Sequence, residues 1–275
     1  MIQLGLIGYP LGHSLSPKIH NAALKACGLD GSYSLFPIHP DDKQGLKDLL
    51  ACVRSGEITG LNVTIPHKQN VIEFLDELTP TAKAIGAVNT IYMRDNKLIG
   101  DNTDAPGFLS DLKKSLTTES RSHGDLNALV LGAGGSARAV VYALANDGWN
   151  VTIAARRIEQ ARQLALSFPN HNLPIKDFSD LGPLTFDLIV NATPLGMSPN
   201  INQSPLPQNT SLSRDIMIYD LVYNLRETKL VKDARAQGLQ ATTGLGMLIE
   251  QAALAFELWT GHNPPRDVLR TAVEN

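Results

Sequence analysis

Cysteine is nearly absent: Cys27 and Cys52 are the only two in 275 residues. Each lies in a stretch of helical pattern with no Cys or His neighbour at metal spacing. A disulfide framework is excluded, and reduced thiols of a cytoplasmic protein are expected. Long apolar runs are missing too, and nothing approaches the roughly 20 residues a membrane-spanning helix needs. The opening Met1 to Gly8 is apolar but short and has no cationic flank, so a signal peptide is not expected. There is no lysine run or basic arm, and a formal net charge of −3 gives no pull toward nucleic acid or anionic lipid. No metal set is expected, because His13 and His20 are separated by a loop and lack a matching carboxylate or thiol. Internal repeats and long low-complexity segments are also lacking. What remains is an ordinary globular composition, 43% apolar. The length exceeds that of a usual single domain, so two domains are expected.

The chain is organised around one turn, Leu129-Val-Leu-Gly-Ala-Gly-Gly-Ser-Ala-Arg138. Ala128 to Leu131 reads as a buried parallel strand that stops at Gly132. Gly134 and Ala137 follow at the G-x-G-x-x-G/A spacing, and Ala137, Val140, Val141 and Leu144 then recur at helical spacing. Glycines let the backbone turn sharply and approach a pyrophosphate. The free N–H groups at the helix start hold its charge. The plain alternative is a tight strand-to-helix turn without a ligand. The next strand is Asn150 to Ala155. At its end an NAD site would carry an acidic residue for the ribose 2′-hydroxyl. Here stand Arg156 and Arg157, whose guanidinium forks suit a 2′-phosphate, so NADP(H) is expected.

Elsewhere the pattern is strand, loop, helix. Gln3 to Gly8 reads as a strand, followed by a helix from Pro17 to Ala26. Ser16 is either its N-cap or, with Ser14, a holder of a small carboxylate. Gly12 to Ser16 is not a G-x-S-x-G elbow, since its last position is Ser. Ser32 to Ile38 is a strand and Asp41 to Leu50 a helix. In Gly60 to Lys68, Leu61, Val63 and Ile65 alternate with Asn62 and Thr64. Pro66 then starts a helix with Lys68, Val71 and Leu75 on one face. A lysine on an apolar stripe either snorkels outward or lines a cleft where it can pass a proton. Thr79 to Ala84 is helical. Ala87 to Tyr92 and Lys97 to Gly100 form a hairpin around Asp95-Asn96, with Asn89 in an otherwise apolar strand. Asp104 either caps the next helix or sits at a cleft mouth. Thr117 to Gly124 is the polar hinge into the nucleotide domain.

After the arginine pair come a helix, Glu159 to Phe168, and a strand, Phe186 to Val190. That strand ends in the polar turn Asn191 to Met197. A surface loop follows over Ser198 to Ser213. Ile216 to Tyr223 is a strand and Thr228 to Gln237 a helix ended by Gly238. Thr243 to Gly246 opens the last helix. Its stripe of Met247, Gln251, Leu254 and Leu258 has one polar member. Gln251 is a structural hydrogen bonder or a ligand contact, and Glu250 and Glu257 face solvent.

Taken in order, Ser14-Leu-Ser-Pro17, Asn62-Val-Thr-Ile-Pro-His-Lys68, Gly86-Ala-Val-Asn-Thr90, Gly100-Asp-Asn-Thr-Asp104, Gly132-Ala-Gly-Gly-Ser136, Asn191-Ala-Thr-Pro-Leu-Gly-Met197, Asp220-Leu-Val-Tyr-Asn224 and Gly244-Leu-Gly-Met-Leu248 with Gln251 resemble the shikimate dehydrogenase family over essentially the whole chain. The resemblance implies an α/β enzyme that reduces 3-dehydroshikimate to shikimate with NADPH, on the route to chorismate and the aromatic amino acids. It implies a substrate domain of residues 1–104 plus 247–275 and a Rossmann-type NADP-binding domain of residues 105–246, with both ligands in the cleft between them. Ser14, Ser16 and Tyr223 would hold the substrate carboxylate, and Thr64, Asn89, Asp104 and Gln251 the ring hydroxyls. Lys68, paired with Asp104, would be the catalytic proton-transfer group. Gly132, Ala133, Gly134, Gly135 and Ser136 would take the pyrophosphate, Arg156 and Arg157 the 2′-phosphate. Thr193, Leu221 and Gly244 would complete the cofactor site. The family's Asn-Arg-Thr reads Ala155-Arg156-Arg157 here, Gln160 stands at its later basic position, and its Tyr-Asn-Pro reads Tyr223-Asn-Leu225. A monomer or homodimer is expected. A quinate/shikimate dehydrogenase tolerating NAD, an inactive nucleotide-binding regulator and a Rossmann-like methyltransferase are the alternatives. Lys68 and Asp104 speak against the second, Arg156 against the third.

Overall fold

The computed structural model describes residues 1–116, 126–181, 184–207, 210, 212–213, 215–223 and 227–274. They form two compact units, Met1–Gly107 with Ile249–Asn275, and Phe108–Leu248. The expected hinge at 117–124 lies outside the described residues.

In the first unit, β1 (Ile2–Gly8), α1 (Ser16–Ala26), β2 (Gly31–Pro37), α2 (Lys43–Arg54) and β3 (Gly60–Val63) alternate as parallel strands with connecting helices. A short α3 (His67–Asn70), β4 (Glu77–Leu78) and α4 (Pro80–Ile85) follow, then β5 (Thr90–Arg94) and β6 (Lys97–Asp101). The sheet order is β2-β1-β3-β5-β6-β4, with β5 antiparallel to both β3 and β6. The β5–β6 hairpin turns on Asp95 and Asn96 at φ +51° and +60°. A two-residue turn with both residues left-handed matches the strand twist, and Asp and Asn tolerate that conformation. On α2, Asp42 accepts from the Gly45 N–H as cap, and Leu46, Leu49, Leu50 and Val53 sit at helical spacing in the core with Ile7, Leu61, Ile91 and Leu98.

The second unit is a six-stranded parallel sheet, β7 (Asn127–Leu131), β8 (Asn150–Ala155), β9 (Ile175–Asp177), β10 (Leu188–Asn191), β11 (Met217–Asp220) and β12 (Ala241–Thr243), in the order β12-β11-β10-β7-β8-β9. This is the doubly wound arrangement, with its switch point between β7 and β10, where such sheets bind ligands. Helices α6 (Gly135–Asn146), α7 (Ile158–Leu166) and α8 (Lys229–Ala236) link its strands.

Two longer helices, α5 (Asp104–Ser115) and α9 (Leu245–Thr260), each contribute residues to both units, and α10 (Arg266–Glu274) ends the chain beside α1. Within the first unit α5 and α9 touch closely. A Cβ on Gly107 would lie 2.7 Å from the Gln251 backbone nitrogen. Trp259 of α9 fills the space a side chain on Gly60 would need and donates its ring N–H to the Ile91 carbonyl at 3.1 Å. Among the described residues no helix is long and apolar enough to cross a membrane.

Several local expectations are corrected. The helix after Pro66 is one turn, followed by a 3₁₀ turn at Val71–Phe74, and Leu75 is extended, so it shares no helix face with Lys68. Ser16 is not the cap of α1: the Ser14 hydroxyl accepts from the Ser16 N–H at 3.3 Å instead. On α9, Glu250 is 7% exposed and reaches Arg266, while Leu258 is exposed; the buried face is Ala252, Ala255, Phe256 and Trp259. Arg266 opens α10, a helix the sequence pattern did not announce. Strands β4, β9 and β12, of two or three residues each, are too short for a periodicity argument.

Candidate active site

In the first unit, four side chains from distant stretches converge. Lys68 projects from α3, and its Nζ lies 2.5 Å from Asp104 Oδ2 at the start of α5, 36 residues away. Both are buried, at 8% and 5% exposure. Asn89 precedes β5 and donates its amide to Asp104 Oδ1 at 2.9 Å and to Gln251 Oε1 on α9 at 3.3 Å. Its orientation is dictated by what surrounds it. The Thr103 N–H can only donate, so the amide oxygen must face it (2.7 Å), and the Thr90 hydroxyl donates to that same oxygen at 3.0 Å. The NH₂ is thereby aimed at the carboxylate. Each oxygen of Asp104 is thus held by a different donor, one cationic and one neutral. Breaking such a buried pair on one side costs about 3–5 kcal/mol, because it strands the other charge.

Asp104 is available for this because it does not cap α5. Asn102 does: its Oδ1 accepts from the Asp104 and Ala105 N–H groups at 3.1 and 3.3 Å, and its amide donates to the Ala87 carbonyl at 2.9 Å. Of the two readings open for Asp104, capping is thereby ruled out. Thr64 and Ser14 are half-buried and Ser16 is buried. Thr64 follows β3 where Gly8 of β1 leaves room for its methyl group. Tyr223 belongs to the second unit, three residues beyond β11.

In that second unit the glycine turn has the backbone its spacing predicts. Gly132 is at φ +113°, and a Cβ there would lie 3.0 Å from the Ala192 carbonyl across the β7–β10 switch point. Gly134 precedes α6 without a side-chain cap, and a Cβ on it would meet nothing within 4 Å. The first N–H groups of α6 thus have neither a side-chain cap nor an intrahelical acceptor. Ala133 is buried, and Gly135 and Ser136 are half-buried on the first turn. Arg156 and Arg157 are exposed after β8, and neither has an ion-pair partner among the described residues. Thr193, Leu221 and Gly244 stand one or two residues beyond the ends of β10, β11 and β12. An uncapped helix start after a glycine turn, with two exposed guanidinium groups at the neighbouring strand end, fits a phosphorylated dinucleotide.

Three family models match in succession: the shikimate dehydrogenase substrate binding domain over residues 6–91, shikimate / quinate 5-dehydrogenase over 114–221 and the shikimate 5'-dehydrogenase C-terminal domain over 244–274. A shikimate dehydrogenase (NADP(+)) of Carboxydothermus hydrogenoformans is 43% identical over 274 residues, covering 98% of this chain and 95% of that protein. The chain belongs to the shikimate dehydrogenase family. The relative from Bacillus subtilis, of the same name, is 39% identical over 98% of this chain and 95% of its own. Among solved structures, shikimate 5-dehydrogenase from Thermus thermophilus, in complex with NADP(H) and shikimate, is similar at a TM-score of 0.88. It is 38% identical over 100% of this chain and 99% of that one. The resemblance read from the ordered motifs thus holds, and so does the α/β class with a Rossmann-like sheet.

Within this family frame, sequence reasoning missed the residues that support the cluster. Asn102 and Thr103 stand inside a motif that was singled out, yet neither was assigned a task. The available signal was an Asn two residues before a helix's first carboxylate, a spacing that suits side-chain capping.

Proposed function

We propose that this shikimate dehydrogenase family member catalyses the reversible NADPH-dependent reduction of 3-dehydroshikimate to shikimate, with Lys68 as the proton-transfer group and Asp104 as its partner. The observation that carries the assignment is the 2.5 Å Lys68–Asp104 contact, buried and linked to Asn89 and Gln251. When bound, NADPH supplies the hydride to the ring carbonyl carbon. The Lys68 ammonium neutralises the charge developing on the carbonyl oxygen and gives it a proton, becoming the neutral amine. In the reverse direction the amine takes the proton back. Asp104 fixes the direction in which the ammonium points and, with Asn89, Thr64 and Gln251, accepts or donates to ring hydroxyls. Ser14, Ser16 and Tyr223 supply hydroxyls suited to a carboxylate.

Gly132 to Ser136 would hold the pyrophosphate, Arg156 and Arg157 the 2′-phosphate, and Thr193, Leu221 and Gly244 the nicotinamide end. The substrate domain is the first unit and the NADP domain the second. The free thiols of Cys27 and Cys52 suit a reducing compartment, the cytoplasm, where the protein would act as a monomer or homodimer. The test follows nicotinamide absorbance with shikimate and NADP⁺, then with quinate and with NAD⁺. Reduction of NADP⁺ by shikimate is expected, and failure of shikimate to reduce it overturns the assignment.

A further inference from the structure

Asp220 ends β11 with no exposed surface, and the side chains that hold its carboxyl group are neutral. Its Oδ1 accepts from the Asn191 amide at 2.8 Å and the Val222 N–H at 3.1 Å, and its Oδ2 accepts from the Thr228 hydroxyl at 2.6 Å. Burial raises its carboxyl above the usual carboxylate range, and the three donors offset this only in part. A buried carboxylate without a cation among the described residues is costly to keep. Neither Lys68 nor Asp104 is among the groups that hold it.

What Asp220 does is join three connections at the carboxyl ends of adjacent strands. Asn191, which it holds, accepts from the Thr193 N–H at 3.0 Å and the Thr193 hydroxyl at 2.7 Å, and donates to the Leu195 carbonyl at 3.1 Å. That sets the turn after β10. The Leu221 N–H donates to the Asn191 carbonyl at 2.9 Å, and the Gly244 N–H to the Val222 carbonyl at 3.2 Å. A Cβ on Gly244 would collide with the Leu221 carbonyl, so these two backbones are in direct contact. Thr193, Leu221 and Gly244 therefore all hang from one carboxylate.

We propose that Asp220 is a positioning residue for the cofactor: acting through Asn191 and Val222, it sets the loops that carry Thr193, Leu221 and Gly244. This rests on the reading above that those loops meet NADP(H). Replacing Asn191 by Asp keeps the acceptor for Thr193 but turns a carboxylate oxygen toward Asp220, where like charges repel. In Asn191→Asp the KM for NADP⁺ should rise on the order of tenfold or more, with the KM for shikimate unchanged. Asp220→Asn alone keeps an oxygen for the Asn191 amide and the Val222 N–H and turns its NH₂ toward the Thr228 hydroxyl, so its KM for NADP⁺ should stay within about threefold of the starting value. A fall in melting temperature of Asn191→Asp without the KM change, or a KM for NADP⁺ in Asp220→Asn raised as far as in Asn191→Asp, refutes the positioning role. Titration of the unaltered chain with NADPH, followed by its fluorescence, separates the layers. If the unaltered chain takes no NADPH, both readings fall; if it binds while the KM of Asn191→Asp stays put, only the role of Asp220 falls.

Discussion

Lys68 has a job that alanine cannot do, and binding that alanine largely can spare. Lys68→Ala should lower kcat by roughly 10²–10⁴ while the KM for shikimate stays within several-fold. Steady-state kinetics in the shikimate-oxidising direction checks this, and near-normal turnover would remove Lys68 from the mechanism. A second residue-scale prediction concerns His20. Its ring is wholly buried, stacked on Tyr33 at 4.3 Å, and neither ring nitrogen has a hydrogen bond of good geometry among the described residues. Burial, only partly offset by the Asn62 side chain, lowers its pKa from 6.5 to about 3. Between those values the unfolded chain binds a proton that the folded chain refuses. The stabilisation is therefore complete above pH 6.5 and drains away as the pH falls toward 3. His20→Phe should flatten that acid limb in urea midpoints measured against pH, and parallel curves would contradict the account. Residue identities of this kind were only half legible. A lysine near apolar positions flagged itself, but its expected helix face did not exist; what buried it was Asp104, and only the fold brings the two together.

Among elements, α5 depends on its cap. Asn102→Ala removes the acceptor for two N–H groups and the donor to the Ala87 carbonyl, a loss of about 1–2 kcal/mol. The melting temperature should fall, and kcat should fall with it, since the freed Asp104 and Ala105 N–H groups compete for the carboxylate that holds Lys68. Unchanged kcat at temperatures well below melting would show that the cap serves stability alone. Elements whose signal is local were readable. Asp95-Asn96 between alternating strands announced the hairpin, and β8 has the bounds its pattern implied. Elements defined by their neighbours were not. Glu250 looked solvent-facing but is buried and pairs with Arg266 of α10, and β9 is an edge strand paired only with β8 among the described residues.

At the scale of the whole molecule, cofactor choice is the sharpest prediction. Arg156→Ala with Arg157→Ala should raise the KM for NADP⁺ by at least about tenfold and leave the KM for NAD⁺ nearly unchanged. Equal effects on the two nucleotides would take the 2′-phosphate away from these arginines. In the second sheet β7, β8, β10 and β11 were legible as largely apolar runs ending in a polar or glycine turn, while β9 and β12 were not. The mixed first sheet was less so, since the β3–β5 pairing joins strands that local periodicity cannot connect. Gly107 leaves a mark on how this protein can be engineered. Alanine in place of a helical glycine is a routine stabilising change, but at this crossing the added methyl would push α9 back and carry the Gln251 amide away from Asn89. A saturation library selected for growth on the shikimate route should return glycine at position 107 almost alone.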